Sequence, residues 1–323
     1  MSTANHTAVT EFILLGFPTS WGRQVFLFLV FLLIYILTVT ENVIIVFLVF
    51  WDYRLHKPMY VFLVNLSIIE IGYISVTLPN LLVNMLSGRK NISYTACISQ
   101  LYTFTFLGAT ECFLLAAMAF DRYAAICKAL RYQAIMTRSV CARLAVCCWL
   151  TGFLTPALPI LFLCLQTFCG PNIINHFFCD ASPLLRLSCS DTRVKQLVDF
   201  LVSMAVLLSS LLVIALSYGR IITTILAIPS TTGRVKAFST CTSHLTVVFI
   251  FYGTMVFMYV RVTSLPSMDM NKVVSVCYSV VIPLFNPMIY SLRNKEVKQA
   301  LYKVLLRRSR FSVLFRLHTS SSM

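Results

Sequence analysis

Six residues stand out because their chemistry sits badly with their surroundings. Glu41, Glu70 and Glu111 each lie inside a long apolar run, and Asp121-Arg122-Tyr123 ends another. A carboxylate in hydrocarbon is costly, so an ionisable side chain at that depth is by default a functional candidate. Arginine stays charged in proteins, so Arg122 must be paired or solvated, and Asp121 beside it is the obvious partner. Cysteines form a second group. Cys169, Cys179 and Cys189 fall outside the apolar runs and Cys97 at the outer end of one; an even number of external cysteines reads as disulfides, and four cysteines allow three connectivities. Cys241 and His244 have the spacing of a metal pair, but two ligands do not make a site, and no metal is assigned.

These residues need elements to hold them. The chain has 323 residues, 59% of them hydrophobic and 11% charged, against about 25% charged in a typical soluble domain. That is too little polar surface to cover a globule in water. Seven apolar runs have the ~20 residues a membrane-spanning helix needs. They lie at about 24–50, 58–82, 96–123, 140–161, 196–222, 236–260 and 272–292. Pro58 suits the first turn of the second, where its missing N–H goes unused. The expected fold class is an all-α membrane protein: a seven-transmembrane helix bundle in one domain, 1–323. Residues 1–23 form an extracellular N-terminus, 24–292 the spans, and 293–323 a cytoplasmic helix and tail.

Most of the 26 Lys and Arg fall on the side that an external N-terminus makes cytoplasmic, as the positive-inside rule requires. The net charge of +15 is therefore read as topology and contact with the lipid bilayer, not nucleic-acid binding. No cleavable leader is expected. Asn5-His6-Thr7 is a glycosylation sequon on the outer side. Val297, Leu301, Val304 and Leu305 recur at helical spacing among basic residues, which predicts a short amphipathic surface helix. A transporter or channel would call for internal repeats or paired broken helices, and the sequence has neither.

Taken in order, the motifs resemble those of one family. The chain carries Leu55-His56-Lys57-Pro58-Met59-Tyr60, then Met118-Ala119-Phe120-Asp121-Arg122-Tyr123-Ala124-Ala125-Ile126-Cys127, then Ser217-Tyr218. It continues with Lys236-Ala237-Phe238-Ser239-Thr240-Cys241-Thr242-Ser243-His244-Leu245, Pro283-Leu284-Phe285-Asn286-Pro287-Met288-Ile289-Tyr290 and Ser291-Leu292-Arg293-Asn294. This set resembles the olfactory receptors of the rhodopsin-like G-protein-coupled class, tetrapod type, over nearly the whole chain. Other rhodopsin-like receptors share only part of it. The chain departs from the pattern at Phe120 (commonly Tyr), Ala124 (Val), Ala129 (Pro) and Glu41 (Gly). Without proline at 129, the third helix is expected to run on toward Leu130.

The resemblance implies the roles. It pairs Cys97 with Cys179 and Cys169 with Cys189. It makes Asp121, Arg122, Tyr123, Tyr218, His244, Asn286, Pro287 and Tyr290 the switch that couples to a G protein of the stimulatory olfactory type, raising cyclic AMP. It sets Glu70 and Glu111 side by side, holding a sodium ion or a shared proton, or forming a simple hydrogen-bonded acid pair; there is no other cofactor. It lines an odorant cavity with Phe104, Thr105, Gly108, Ala109 and Cys112 on the third helix and Val202 and Val206 on the fifth. The sixth adds Tyr252, Met255, Val256 and Tyr259. An apolar lining with a few hydroxyls suits a small, uncharged volatile molecule. No enzymatic activity is expected, and the location implied is the plasma membrane.

Overall fold

The computed structural model describes residues 9–88, 90–169, 171–262, 268–293 and 296–304. Long helices at Trp21–Trp51, Pro58–Ser87, Tyr94–Cys127 and Arg193–Leu226 are apolar enough to cross a bilayer, as are Arg138–Cys164 and Lys272–Ile289. Thr231–Val262 is the seventh, bent by 45° between Thr231–Ser239 and Cys241–Val256. Among the described residues these are the seven spans of a membrane bundle, all but Lys272–Ile289 a few residues longer than the apolar run.

Local chemistry explains the ends. Pro58 opens the second helix, and Gly88 closes it at φ 65°, a left-handed conformation that glycine adopts without a Cβ penalty. Ser93 Oγ accepts from the Ala96 N–H to start the third helix, and Thr137 does the same for Val140 in the fourth. The fourth span divides into Arg138–Leu154 and Ala157–Cys164 around Pro156, which has no N–H to continue the ladder. A π-helical turn, Cys277–Val281, interrupts the seventh.

The third helix sits at the centre. Its buried residues run from Cys97 to Ala124 and pack against the second, fourth, fifth and sixth helices. Phe26, Leu29, Leu33, Phe200, Leu208, Leu212 and Phe249 point outward and are exposed, the pattern expected where the solvent is lipid.

Three findings differ from the sequence reading. First, the bundle carries a small outer sheet. β1 (Glu11–Leu14) lies between β2 (Asn91–Ser93), antiparallel, and β3 (Ile173–Ile174), parallel, with Phe12 opposite Ile92 and Ile13 opposite both Asn91 and Ile173. The N-terminal segment is therefore partly structured. Second, the third helix does not run on to Leu130. It stops at Cys127, and Ala129–Arg131 form a 3-10 turn, so the missing proline does not extend it. Third, residues 296–304 are helical, but the inward stripe is Val297, Ala300 and Val304, while Leu301 faces out. Glu296 ties this helix to the first inner loop by accepting from Lys57 Nζ (2.5 Å) and Tyr60 Oη (2.9 Å). Leu305 and the tail lie outside the described residues.

Candidate functional site

The C-terminal end of the third helix holds a buried ion pair, an Asp–Arg lock. Asp121 is 1% exposed and Arg122 8%. Arg122 Nη2 and Nε donate to Asp121 Oδ2 at 2.5 and 3.2 Å, and Tyr132 Oη donates to Asp121 Oδ1 at 2.7 Å. The carboxylate thus has partners on both oxygens. Burial, then the Asp121 charge, raises the Tyr132 phenol above its ordinary value, which keeps it a donor. Tyr123 is half-buried nearby.

A second polar pair faces the lock from the fifth and sixth helices. His244 Nε2 lies 3.1 Å from Leu115 O, which can only accept, so that nitrogen carries the proton. Nδ1 is then free to accept from Tyr218 Oη at 2.7 Å, and the two rings stack at 5.7 Å. Met59, Phe62, Met118, Asp121, Arg122, Ser243 and His244 enclose a small void between these groups. Beside it, Cys127 Sγ contacts Thr224 Oγ1 at 3.1 Å and joins the third helix to the fifth. Pro287 is buried in the seventh helix; the Tyr290 side chain lies outside the described residues.

Deeper in the bundle, Asn286 Nδ2 donates to Glu70 Oε1 and, at 3.4 Å, to Glu111 Oε1. All three residues are buried, and Glu70 Oε2 is a buried acceptor with no partner among the described residues. Two carboxyls that share one donor and leave an acceptor over fit a small hard cation, which takes oxygen ligands, and fit a shared proton equally. Glu41 lies one residue before Asn42 on the inward face of the first helix, and its Oε2 is also a buried atom without a partner.

The residues expected to line the odorant cavity divide. Tyr252 Oη donates to Ser210 Oγ at 2.8 Å and approaches Cys112 O at 3.4 Å, and Ser210 Oγ in turn lies 2.7 Å from Val206 O. Cys112, Val206 and Tyr252 therefore meet across the third, fifth and sixth helices. Ala109 is buried one turn away, and Val202 and Met255 are half-buried. Thr105 Oγ1 donates to Leu101 O in its own helix, which still leaves an acceptor.

Three residues face elsewhere. Val256 is 50% exposed and points away from the bundle. Gly108 faces the second helix: a Cβ built there would come within 2.8 Å of Tyr73 Oη, so Tyr73 stands where the cavity was expected. Phe104 packs on Tyr73, Phe178 and Tyr278, toward the second and seventh helices and the outer loop. The Tyr259 side chain lies outside the described residues. Ser210 was missed; its signal was a hydroxyl one turn beyond Val206, on the same helical face.

The outer loop closes this end. Disulfides join Cys97 to Cys179 and Cys169 to Cys189. Gln100 Oε1 accepts from the Cys179 N–H at 2.9 Å. His176 is buried between Phe178 O and Ser275 Oγ, each 3.1 Å away, and stacks on Phe177. Burial pushes its pKa down to about 4. Asn5 lies outside the described residues.

Seven spans around a central third helix, a disulfide-tied outer loop and an Asp-Arg lock at the inner end define the class, a seven-helix G-protein-coupled receptor. Comparison with known proteins narrows it. The family model described as olfactory receptor matches residues 31–308. The chain is similar to human olfactory receptor 6Q1, 58% identical over 94% of this chain and 96% of the relative. It is 53% identical to human olfactory receptor 6B1 over 94% and 97%, and 48% identical to rat olfactory receptor 226 over 94% and 95%. The chain belongs to the olfactory receptor family, and so is a multi-pass membrane receptor for odorants and not an enzyme.

Proposed function

We propose that this receptor sits in the plasma membrane with its N-terminus outside and its C-terminus in the cytoplasm. It takes a small, uncharged, mostly apolar volatile molecule between the third, fifth and sixth helices. Activation passes to a stimulatory G protein of the olfactory type and raises cyclic AMP. The observation that carries this reading is the closed Asp121–Arg122–Tyr132 lock beside a void walled by His244. An arginine held by one carboxylate, next to a space bordered by the bent sixth helix, is a charge that a helix movement can release. An odorant that binds the open arrangement better shifts the population toward it. The external N-terminus is supported by β1, which pairs in one sheet with the disulfide-tied loop, because disulfides persist on the oxidising side. Asn5 on that side is the glycan acceptor, and Asn5→Gln should abolish a glycosidase-sensitive mobility shift.

The odorant class follows from apolar side chains around the hydroxyls of Tyr252 and Ser210, which can orient one polar group. The Glu70–Glu111–Asn286 cluster holds a sodium ion or a shared proton that favours the resting state. Activation that becomes insensitive to external sodium in Glu111→Gln supports the ion, and an unaltered sodium response rejects it. The test of the whole reading is an odorant screen in cells supplied with the stimulatory olfactory G protein, read as cyclic AMP. A response present in the parent, lost in surface-expressed Arg122→Ala and lost without the G protein supports it. A response that survives either removal overturns it.

A further inference from the structure

Another cavity, of about 70 Å³, lies at the outer face, away from the third, fifth and sixth helices. It is bounded by the chain from Leu14 to Thr19, the start of the first helix, the end of the second, Lys90 in the first outer loop, and Phe177. Two of its polar side chains lack hydrogen-bond partners among the described residues. Thr19 Oγ1 is buried with no partner among them. The Asn84 amide makes no hydrogen bond among the described residues, and Lys90 makes no ion pair among them. Gln24 commits its amide N–H to Met85 O at 2.7 Å. A second ammonium stands behind the wall, where Lys272 Nζ donates to Gly16 O at 2.9 Å. A buried hydroxyl without a partner forfeits its hydrogen bonds to water, and a native fold normally supplies a replacement. Here the unfilled groups converge on one space beside a cation.

We propose that this cavity binds a small organic carboxylate, with Lys90 as counter-ion and Thr19 and Asn84 as hydrogen-bond donors. Among the described residues Lys90 is the one charged side chain in the lining, which selects an anion. The volume matches two or three waters at about 30 Å³ each, and so a carboxylate with a short tail. The apolar walls, Leu81, Met85 and Phe177, suit that tail. The occupant touches the N-terminal segment and two helices at once, so it fastens the outer cap to the bundle. Phe177 stacks on Phe17, and the next residue, Phe178, packs on Phe104 of the third helix, so the fastening reaches the middle of the receptor.

The test needs no odorant. The purified full-length receptor in detergent is heated in sodium acetate, and its unfolding midpoint is compared with that in sodium chloride and sodium phosphate at matched ionic strength. The expected result is a saturable rise with acetate alone, about 3 °C at ten times the half-saturating concentration. Lys90→Gln should raise that concentration by about tenfold or more, since charge-assisted bonds are the strong ones. Asn84→Ala should weaken binding less, and Lys128→Gln, an exposed inner-face control, should leave it unchanged. Three results would each overturn the proposal: no saturable rise in the parent, an unchanged rise in Lys90→Gln, or an equal rise with phosphate or chloride.

Discussion

Replacing Tyr132 by phenylalanine tests the lock at its most accessible point. The substitution removes one oxygen and leaves the ring in place. In this structure that oxygen donates to Asp121 Oδ1 at 2.7 Å, while Oδ2 holds Arg122. A hydrogen bond to a charged group contributes about 1.5–3 kcal/mol, and because Tyr132 is only half-buried the lower end applies. If the bond exists only with the lock closed, its loss raises the open population by about tenfold, since 1.4 kcal/mol is a factor of ten. A receptor open one part in a hundred becomes open about one part in ten. The assay is cyclic AMP without odorant, normalised to receptor at the cell surface. Tyr132→Phe should rise about tenfold over the parent, and adding Arg122→Ala should silence it. Basal signalling equal to the parent at equal surface density would refute the argument, because Tyr132 would then contribute the same in both states.

Three further outcomes follow from other parts of the molecule. Gly152→Ala should abolish surface expression, because a Cβ there would meet Thr110 Oγ1 at 2.0 Å and its backbone N at 2.8 Å; Gly219→Ala, with nothing within 4 Å, should express normally by surface antibody staining. Tyr252→Phe should lower odorant potency several-fold in the cyclic AMP assay by removing the hydroxyl bonded to Ser210, whereas Val256→Ala, facing outward, should leave the dose–response curve in place. Burial holds His176 at about 4, below its ordinary 6.5, so the folded outer loop binds fewer protons than the unfolded chain between those values. Stability is then full above pH 6.5 and falls as pH drops through that window. Unfolding midpoints measured from pH 7.5 to 4.5 should decline in the parent, and the decline should be shallower in His176→Gln.

The spans were legible because an apolar run of bilayer length has few other uses, and the inner motifs because their charges had no solvent to face. Neighbours across the bundle were not legible. Gly108 was expected to line the odorant cavity because a helix's own periodicity cannot show that Tyr73, on another helix, stands against it. Val256 stands one residue from Met255, and a rotation of about 100° per residue separates a lining side chain from an exposed one. The ends of helices were similarly open. The loss of proline at 129 removes one stop signal, yet the third helix ends at Cys127, where Cys127 Sγ meets Thr224 and Tyr132 turns back to Asp121. Tertiary partners decided that boundary. The sheet escaped notice because β1 pairs only with segments about 80 and 160 residues away, and a four-residue strand has no periodicity of its own.

That sheet also dictates an order of assembly. β1 leaves the ribosome first, but one of its partners, β3, is made only after four helices have been inserted. Until then Phe12 and Leu14, both fully enclosed in the finished fold, have nowhere to go. The earliest-made strand is thus among the last to be seated, together with the bond from Cys97 to Cys179. In the proposed topology the nascent receptor then presents an unpaired apolar strand to the lumen, where a chaperone can read it as a mark of incompleteness. Export to the cell surface would then be gated by the outer cap as much as by the helices beneath it.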